Sequence, residues 1–281
     1  MKRNIIKVTL AIGLLLGGSQ AFGARPFPLF TGPEGVASTL LEDDDRDRIL
    51  DNNANGLIDV GDVLVAPLEV GKLEDLWPPI KPSVVLPWKD TELTGISQVL
   101  VTGSTTPPMM PAAPGDRLDF GPDPAFEAIY GAGAMIALFA GKGPDNDLDI
   151  ATCPSVVACE TAATNGGLYL VLGIAEPDDE WFSITQTPGG NIIAAVRTTV
   201  GSTKVGVANY ALSVLVNNTG YPLQQQGIAC GFFACAGDGM TDAVGSADIL
   251  GGLGLTNGYD ARSDADVALS VPEPATLALM A

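Results

Sequence analysis

The chain has 281 residues, with 33 acidic side chains against 14 basic ones and a formal net charge of −19. Such acidity argues against nucleic acid or an anionic membrane surface as partners. Histidine is absent, which removes His-based zinc sites and both Ser-His-Asp and Cys-His catalysis.

The N-terminus has the layout of an export signal. Lys2, Arg3 and Lys7 form a basic region, Val8 to Gly17 is apolar, and Ser19 to Gly23 is rich in small residues. Ala21 and Gly23 suit positions −3 and −1, so cleavage is expected before Ala24, making residues 1–23 a signal peptide. Loss of Lys2, Arg3 and Lys7 leaves a mature chain that is more acidic still.

Residues 24–66 read as an acidic segment. Thr39 to Leu41 is compatible with a short helix, and Asp43, Asp44, Asp45 and Asp47 read as a solvated acidic run. Next, Asp51-Asn52-Asn53-Ala54-Asn55-Gly56-Leu57-Ile58-Asp59-Val60-Gly61-Asp62 has the spacing of a twelve-residue calcium loop. Asp51, Asn53, Asn55, Asp59 and Asp62 supply side-chain oxygens at positions 1, 3, 5, 9 and 12, and Leu57 supplies a carbonyl at position 7. Gly56 occupies position 6, where the turn needs an unhindered backbone. Calcium takes six to eight hard oxygens, which this set approaches. The pattern resembles EF-hand and dockerin loops, which implies calcium as a ligand. Asp62 in place of Glu, and Asn at positions 3 and 5, imply weak affinity. The competing reading is an Asn-Gly turn between strands.

Residues 67–270 are expected to form one β-domain. Pro67, Pro78, Pro79, Pro82 and Pro87 forbid a long helix and favour extended connections. Trp77 and Trp88 are expected to pack on the core. Val63–Ala66, Glu92–Thr102, Leu118–Phe120, Ala125–Tyr130, Ala134–Ala140, Gly167–Ile174, Glu180–Ile184, Asn191–Val200 and Val205–Val216 read as strands. Both faces of Leu168 to Ile174 are apolar, which predicts a central strand covered on both sides. The fold class is therefore all-β, an antiparallel β-sandwich of jelly-roll-like type with long Pro-rich loops. Asp145, Asp147 and Asp149 read as a solvated loop, and Asp264 and Asp266 as residues serving solubility.

Cys153, Cys159, Cys230 and Cys235 form two close pairs, and in an exported chain an even count points to disulfides. Three connectivities are open. The local one, 153 with 159 and 230 with 235, is favoured over cross-pairing. It is also favoured over a four-cysteine zinc site, whose usual Cys-x2-Cys knuckles these spacings do not match.

The last stretch, residues 271–281, begins Val271-Pro272-Glu273-Pro274 and continues into an apolar run. This tetrapeptide and its terminal placement resemble the start of the PEP-CTERM sorting signal of bacterial surface proteins. The family's transmembrane helix and Arg-rich cluster are missing, so the signal reads as truncated. Seven helical residues rise only about 10 Å, short of a bilayer core. Contact with a membrane would thus be transient, through the missing helix. The resemblance implies processing by an exosortase, a Gram-negative-type host, and a place on the cell surface or in the biofilm matrix. Its partners would be extracellular polysaccharide or other matrix protein, and its role non-enzymatic. The alternative is a secreted β-sandwich carbohydrate-active enzyme using a carboxylate pair drawn from Glu127, Asp179 and Glu180.

Overall fold

A computed structural model describes residues 27–77, 83–88, 90–105, 117–142, 148–185, 192–201, 203–255 and 257–273. The expected signal peptide at 1–23, Asp145, Asp147 and Pro274 onward lie outside these residues. In chain order the elements are Thr39–Leu50 (β1), Val63–Asp75 (β2), Ser83–Val85 (β3), Thr91–Thr105 (β4), Arg117–Pro122 (β5), Pro124–Tyr130 (α1), Ala134–Lys142 (β6), Val156–Ala163 (α2) and Gly167–Gly173 (β7). They continue with Glu180–Thr185 (β8), Ile192–Thr198 (α3), Lys204–Asn217 (β9), Gln226–Gly227 (β10), Met240–Thr241 (β11), Ala243–Leu250 (β12) and Ala261–Leu269 (β13).

The architecture is all-β, antiparallel and sandwich-like. Eleven strands join in the order β3-β2-β1-β13-β12-β9-β7-β6-β4-β5-β8, and two more pairings, β2–β4 and β8–β9, bring the sheet back onto itself. The long strands β4 and β9 make this closure. Along one edge, β4 pairs first with β6 and then with β5, while its other edge pairs with β2. Likewise β9 offers one edge to β12 and divides the other between β8 and β7. Two hairpin-like arms, β6–β7 and β5–β8, thus bridge β4 to β9 side by side and complete a ring around a common interior.

Strand alternation decides what faces that interior. On β13, Ala261, Ser263, Ala265, Val267 and Leu269 are buried, and the residues between them are not. On β1, Leu41, Asp43, Asp45 and Ile49 point inward with Asp47, while Leu40, Glu42, Asp44 and Leu50 occupy the other face. On β9, Ala208, Tyr210 and Leu212 are buried as the alternation predicts, but Val214 and Val216 are only half-buried. An aromatic row crosses the inner wall from β5 to β9. Phe120 and Trp181 stand 6.2 Å apart between ring centroids, and Trp181 and Tyr210 5.0 Å.

Among the described residues the outer face is covered in three places. Helix α1 lays Phe126 and Tyr130 against Phe139, in a cluster that includes Val63, Ile96 and Val171. Tyr169, Leu170, Val171 and Leu172 are all buried, so β7 is the central, doubly covered strand expected. The loop at 148–155 and α2 make a second cover, with Leu148, Ile150, Cys159 and Ala163 in one cluster. Cys153–Cys159 fastens that cover. A third, the loop at 228–239, puts Phe233 on Phe182 of β8 and is closed by Cys230–Cys235. Both disulfides therefore have the local connectivity.

Several expectations fail for identifiable reasons. The acidic segment is no separate unit: β2 runs across the boundary at 66, and β1 pairs with both β2 and β13. Thr39 to Leu41 begins β1 rather than a helix. The residues at 125–130 are helical, not a strand. Asp123 accepts hydrogen bonds from the N–H groups of Ala125 and Phe126, Pro124 sits in the first turn, and Gly131 ends the helix at φ 105°. The apolar run around 191–200 contains α3, because short apolar stretches do not distinguish the two periods. Strands β12 and β13 gave little signal, since their inner faces consist mostly of Ala, Gly and Ser. Trp88 packs on the main core as expected, whereas Trp77 is 47% exposed.

Gly245 shows why β12 uses such small residues. It lies opposite Tyr210 in register, and a Cβ at this position would come within 2.0 Å of the tyrosine ring. Tyr210 is buried, and its hydroxyl donates to the Asp266 carbonyl at 2.9 Å, so it cannot move cheaply. Gly245→Ala is expected to destabilise the protein by about 1–3 kcal/mol. Gly71→Ala, on an exposed position with open space around it, should stay within about 0.5 kcal/mol. Urea denaturation of the two variants checks this pair.

Candidate functional site

Two places concentrate polar chemistry, and they share one end of the ring. One is the loop joining β1 to β2. The other is the interior itself.

The loop at 51–62 brings its six sequence-predicted residues together. Asp51 accepts from the N–H groups of Asn55 (3.2 Å) and Gly56 (2.7 Å). Asn53 Oδ1 accepts from Asn55 N–H, and Asn55 Oδ1 from Leu57 N–H. Asp59 receives the side-chain amides of Asn53 (2.9 Å) and Asn55 (2.6 Å). Asp62, 1% exposed, accepts from Asn52 N–H and Asp59 N–H, both at 2.9 Å. Ala54 and Gly56 adopt positive φ, 56° and 76°, a conformation that glycine takes at no steric cost. The loop is anchored to β4 by Gly61 N–H to Val101 carbonyl and Val101 N–H to Asp62 carbonyl.

The donor set is hard oxygen throughout, as calcium requires. The orientation is different from a metal cage. Both asparagine amides turn their nitrogens toward Asp59, so amide N–H groups stand where a cation would neutralise it. Among the described residues no group of three or more His, Cys, Asp or Glu side chains is placed to hold a metal. Calcium at this loop would need the two amides to turn over.

The interior was not anticipated from the sequence. It holds a cavity of about 90 Å³, lined mainly by aliphatic side chains together with Trp181 and Tyr210. Ile58 from the loop and Val196 from α3 both reach it. Both belong to the end where β1 finishes and β9 begins. Asp43, Asp45 and Asp47 line the same cavity, so the run read as solvated has three members inside the protein. The reason is register: in a strand, alternate residues share a face, and Leu41 and Ile49 fix which face is inward. Oδ1 of Asp43 and Oδ1 of Asp45 are buried without a hydrogen-bond partner. Asp47 accepts the Ser263 hydroxyl.

Burial pushes all three carboxyls up, because the charged form loses its hydration. Neighbouring carboxylates add to the effect, Asp45 and Asp266 on Asp43 and Asp47 on Asp45. The Asp47 carboxyl is pushed up from 3.8 to about 6, against the Ser263 hydrogen bond and the charge of Arg46, which act the other way. Tyr210 is pushed up by burial and by the charges of Asp43 and Asp45.

The carboxylates named for a glycosidase have structural engagements. Glu127 accepts from Gly133 N–H at 2.7 Å, next to the end of α1. Asp179, 9% exposed, accepts from Ala175 N–H, Glu176 N–H, the Ser213 hydroxyl and the Thr241 hydroxyl. Glu180 pairs with Arg117 and accepts from Ala234 N–H.

At the C-terminal motif, Val271 is 1% exposed and its carbonyl accepts from Gly32 N–H. Pro272 bridges Gly32, and Glu273 N–H donates to the Gly32 carbonyl at 3.1 Å. Val271 and Pro272 are thus docked on the N-terminal segment, not the start of a free exposed peptide; Pro274 lies outside the described residues. Among the described residues no helix is long and apolar enough to cross a membrane. The two disulfides assign the protein to an oxidising compartment, extracellular or periplasmic. Comparison with protein-family models, curated proteins and solved structures returns no match.

The buried carboxyls give stability an unusual pH dependence. Asp47 has a folded pKa above its unfolded value, so the folded state keeps a proton that the unfolded state releases between pH 3.8 and about 6. Stability from this group is full below that window and falls as pH rises through it. Asp47→Asn removes the ionisation and can still accept from Ser263. The variant should match the parent near pH 4 and exceed it at pH 7 by about 3 kcal/mol. Chemical denaturation at the two pH values measures the difference, and a gap that does not change with pH would contradict the assignment.

Proposed function

We propose that the chain is an exported, non-catalytic protein of the cell surface or biofilm matrix of a Gram-negative-type bacterium. In this reading residues 1–23 direct export, and an exosortase processes the chain at the PEP-CTERM-like motif that starts at Val271. The partner is extracellular polysaccharide or another matrix protein. The observation that carries the reading is the pair of local disulfides, each fastening an outer cover of the sheet, as suits a protein assembled and used outside the reducing cytosol. Acidity and the resemblance of the tail support it. The docked Val271 and Pro272 add that processing beyond Glu273 leaves the bridge to Gly32 in place.

Mass spectrometry of the protein recovered from producing cells tests the sorting part. The expected mature form begins at Ala24, ends near Pro272–Pro274 and has no free thiol. An unprocessed C-terminus on a cell-associated protein would refute it. A glycan array with the purified mature protein tests the partner, with binding to acidic or neutral polysaccharide expected and release of sugar fragments not.

We further propose that calcium tightens the loop at 51–62 through Asp51, Asn53, Asn55, Asp59, Asp62 and the Leu57 carbonyl. The charge count implies a weak extracellular-type site, with a dissociation constant on the order of 0.1–1 mM. Tenfold excess calcium should then raise stability by about 1.4 kcal/mol. Asp51→Ala should abolish the gain and Asp44→Ala, on β1 outside the loop, should keep it. Melting curves with calcium and with chelator decide; a parent that does not respond leaves the loop a hydrogen-bonded turn.

A further inference from the structure

The interior holds carboxyl groups whose ionised form has no basic counterpart facing it. Asp43 and Asp45 line the cavity, each is 7% exposed, and each has one oxygen, Oδ1, buried without a hydrogen-bond partner. Among the described residues no Lys or Arg lines that cavity. Arg46 lies between them in sequence but on the opposite face of β1, where its guanidinium donates to the Asp45 carbonyl. The other charges felt by these two carboxyls, apart from Arg46, are acidic: Asp44, Asp47, Asp264 and Asp266. Burying a carboxylate without a partner is costly, and removing such a cost is a source of binding free energy for a cation.

The remaining wall selects the kind of cation. Carboxylates at alternate positions on one strand face are spaced by about 6.6 Å along the backbone, too far for all three to close around one metal ion. No metal-holding acidic group is found among the described residues. Most of the lining is aliphatic, which a hydrated inorganic ion does not use. Trp181 and Tyr210 present aromatic surface, and Tyr210 lies close enough to feel the charges of both Asp43 and Asp45. A cation with N–H donors is drawn both to carboxylates and to ring faces. The volume, about 90 Å³, accommodates roughly six to nine water-sized groups.

We propose that the interior of the ring is a binding site for a small primary alkylammonium, with its ammonium group on Asp43 and Asp45 and its alkyl chain against the aliphatic and aromatic wall. The site rests on the interior alone and is independent of where the protein resides or what processes it.

The test uses the full mature chain with n-butylammonium as the probe and n-butanol and butyrate as the neutral and anionic comparisons. Isothermal titration and ligand-observed NMR report binding. The alkylammonium should bind saturably, with a dissociation constant on the order of 1 mM or tighter. Butanol should bind at least about tenfold more weakly, and butyrate should not bind. Asp43→Asn/Asp45→Asn keeps the shape of the protonated carboxyls and should lose alkylammonium binding by about tenfold or more. Asp44→Asn, on the outer face of the same strand, should leave it unchanged. A cooperative melt of each variant confirms folding, and the single Asp45→Asn variant serves if the double one does not fold. Absence of saturable binding, equal binding of butanol, or full binding by the inner-face variants would each overturn the proposal. So would a loss in Asp44→Asn as large as in the inner-face variants, which would make the effect one of general acidity.

Discussion

The structure depends on the way β4 and β9 divide their edges. Each strand is long enough to pair along one edge with two partners in succession, and each pairs along its other edge with a different part of the sheet. The eleven-stranded sheet therefore returns on itself, and most strand edges find partners. An edge left open is a template for pairing with another chain. Closure also creates an inside. Once the ring forms, the inward residues of every strand must share one interior, whatever their chemistry.

That constraint explains why an acidic run ends up buried. The β1 register is set by Leu41 and Ile49 at its two ends and by nine paired residues on β13. A slip of one residue would bring Asp44 and Arg46 inward and expose Leu41 and Ile49. The carboxyls of Asp43, Asp45 and Asp47 are carried inside by the strand, and they respond by holding their protons more tightly. The small residues facing them on β13, namely Ala261, Ser263 and Ala265, leave the room that the cavity occupies. Ser263 also supplies a hydroxyl donor to Asp47.

Outside the ring, stability is local. Helix α1, α2 with its loop, and the loop at 228–239 each cover an apolar patch of the sheet. Two of the three are fastened by a disulfide closing a short loop, which limits the unfolded freedom of the cover. Ion pairs such as Arg48–Glu160 at 2.7 Å add attachment between α2 and β1, but partly exposed pairs of this kind contribute little. The calcium-like loop belongs to the same logic at the end of the ring. It is wound by its own carboxylates and amides, and Ile58 at its centre is driven into the interior.

The sequence alone determined the features that depend on neighbours a few residues apart. The β-rich class followed from alternation and turn residues, as in Leu168 to Ile174 and Ala208 to Leu212. The local disulfides followed from spacing, and the convergence of Asp51, Asn53, Asn55, Asp59 and Asp62 from the period of a turn around Gly56. Helix α1 was within reach as well, since Asp123, Pro124 and Gly131 are boundary residues. Tertiary structure alone decided which face of a strand is inside when local chemistry argues otherwise. Asp43, Asp45 and Asp47 look solvated because three or four neighbouring carboxylates repel and hydrate. They are buried because β1 lies between β2 and β13, strands that begin 13 and 211 residues further along. The same holds for Ala243 to Leu250, whose small residues carry little hydrophobic signal. Gly245 is required there only because Tyr210, from another strand, needs the space.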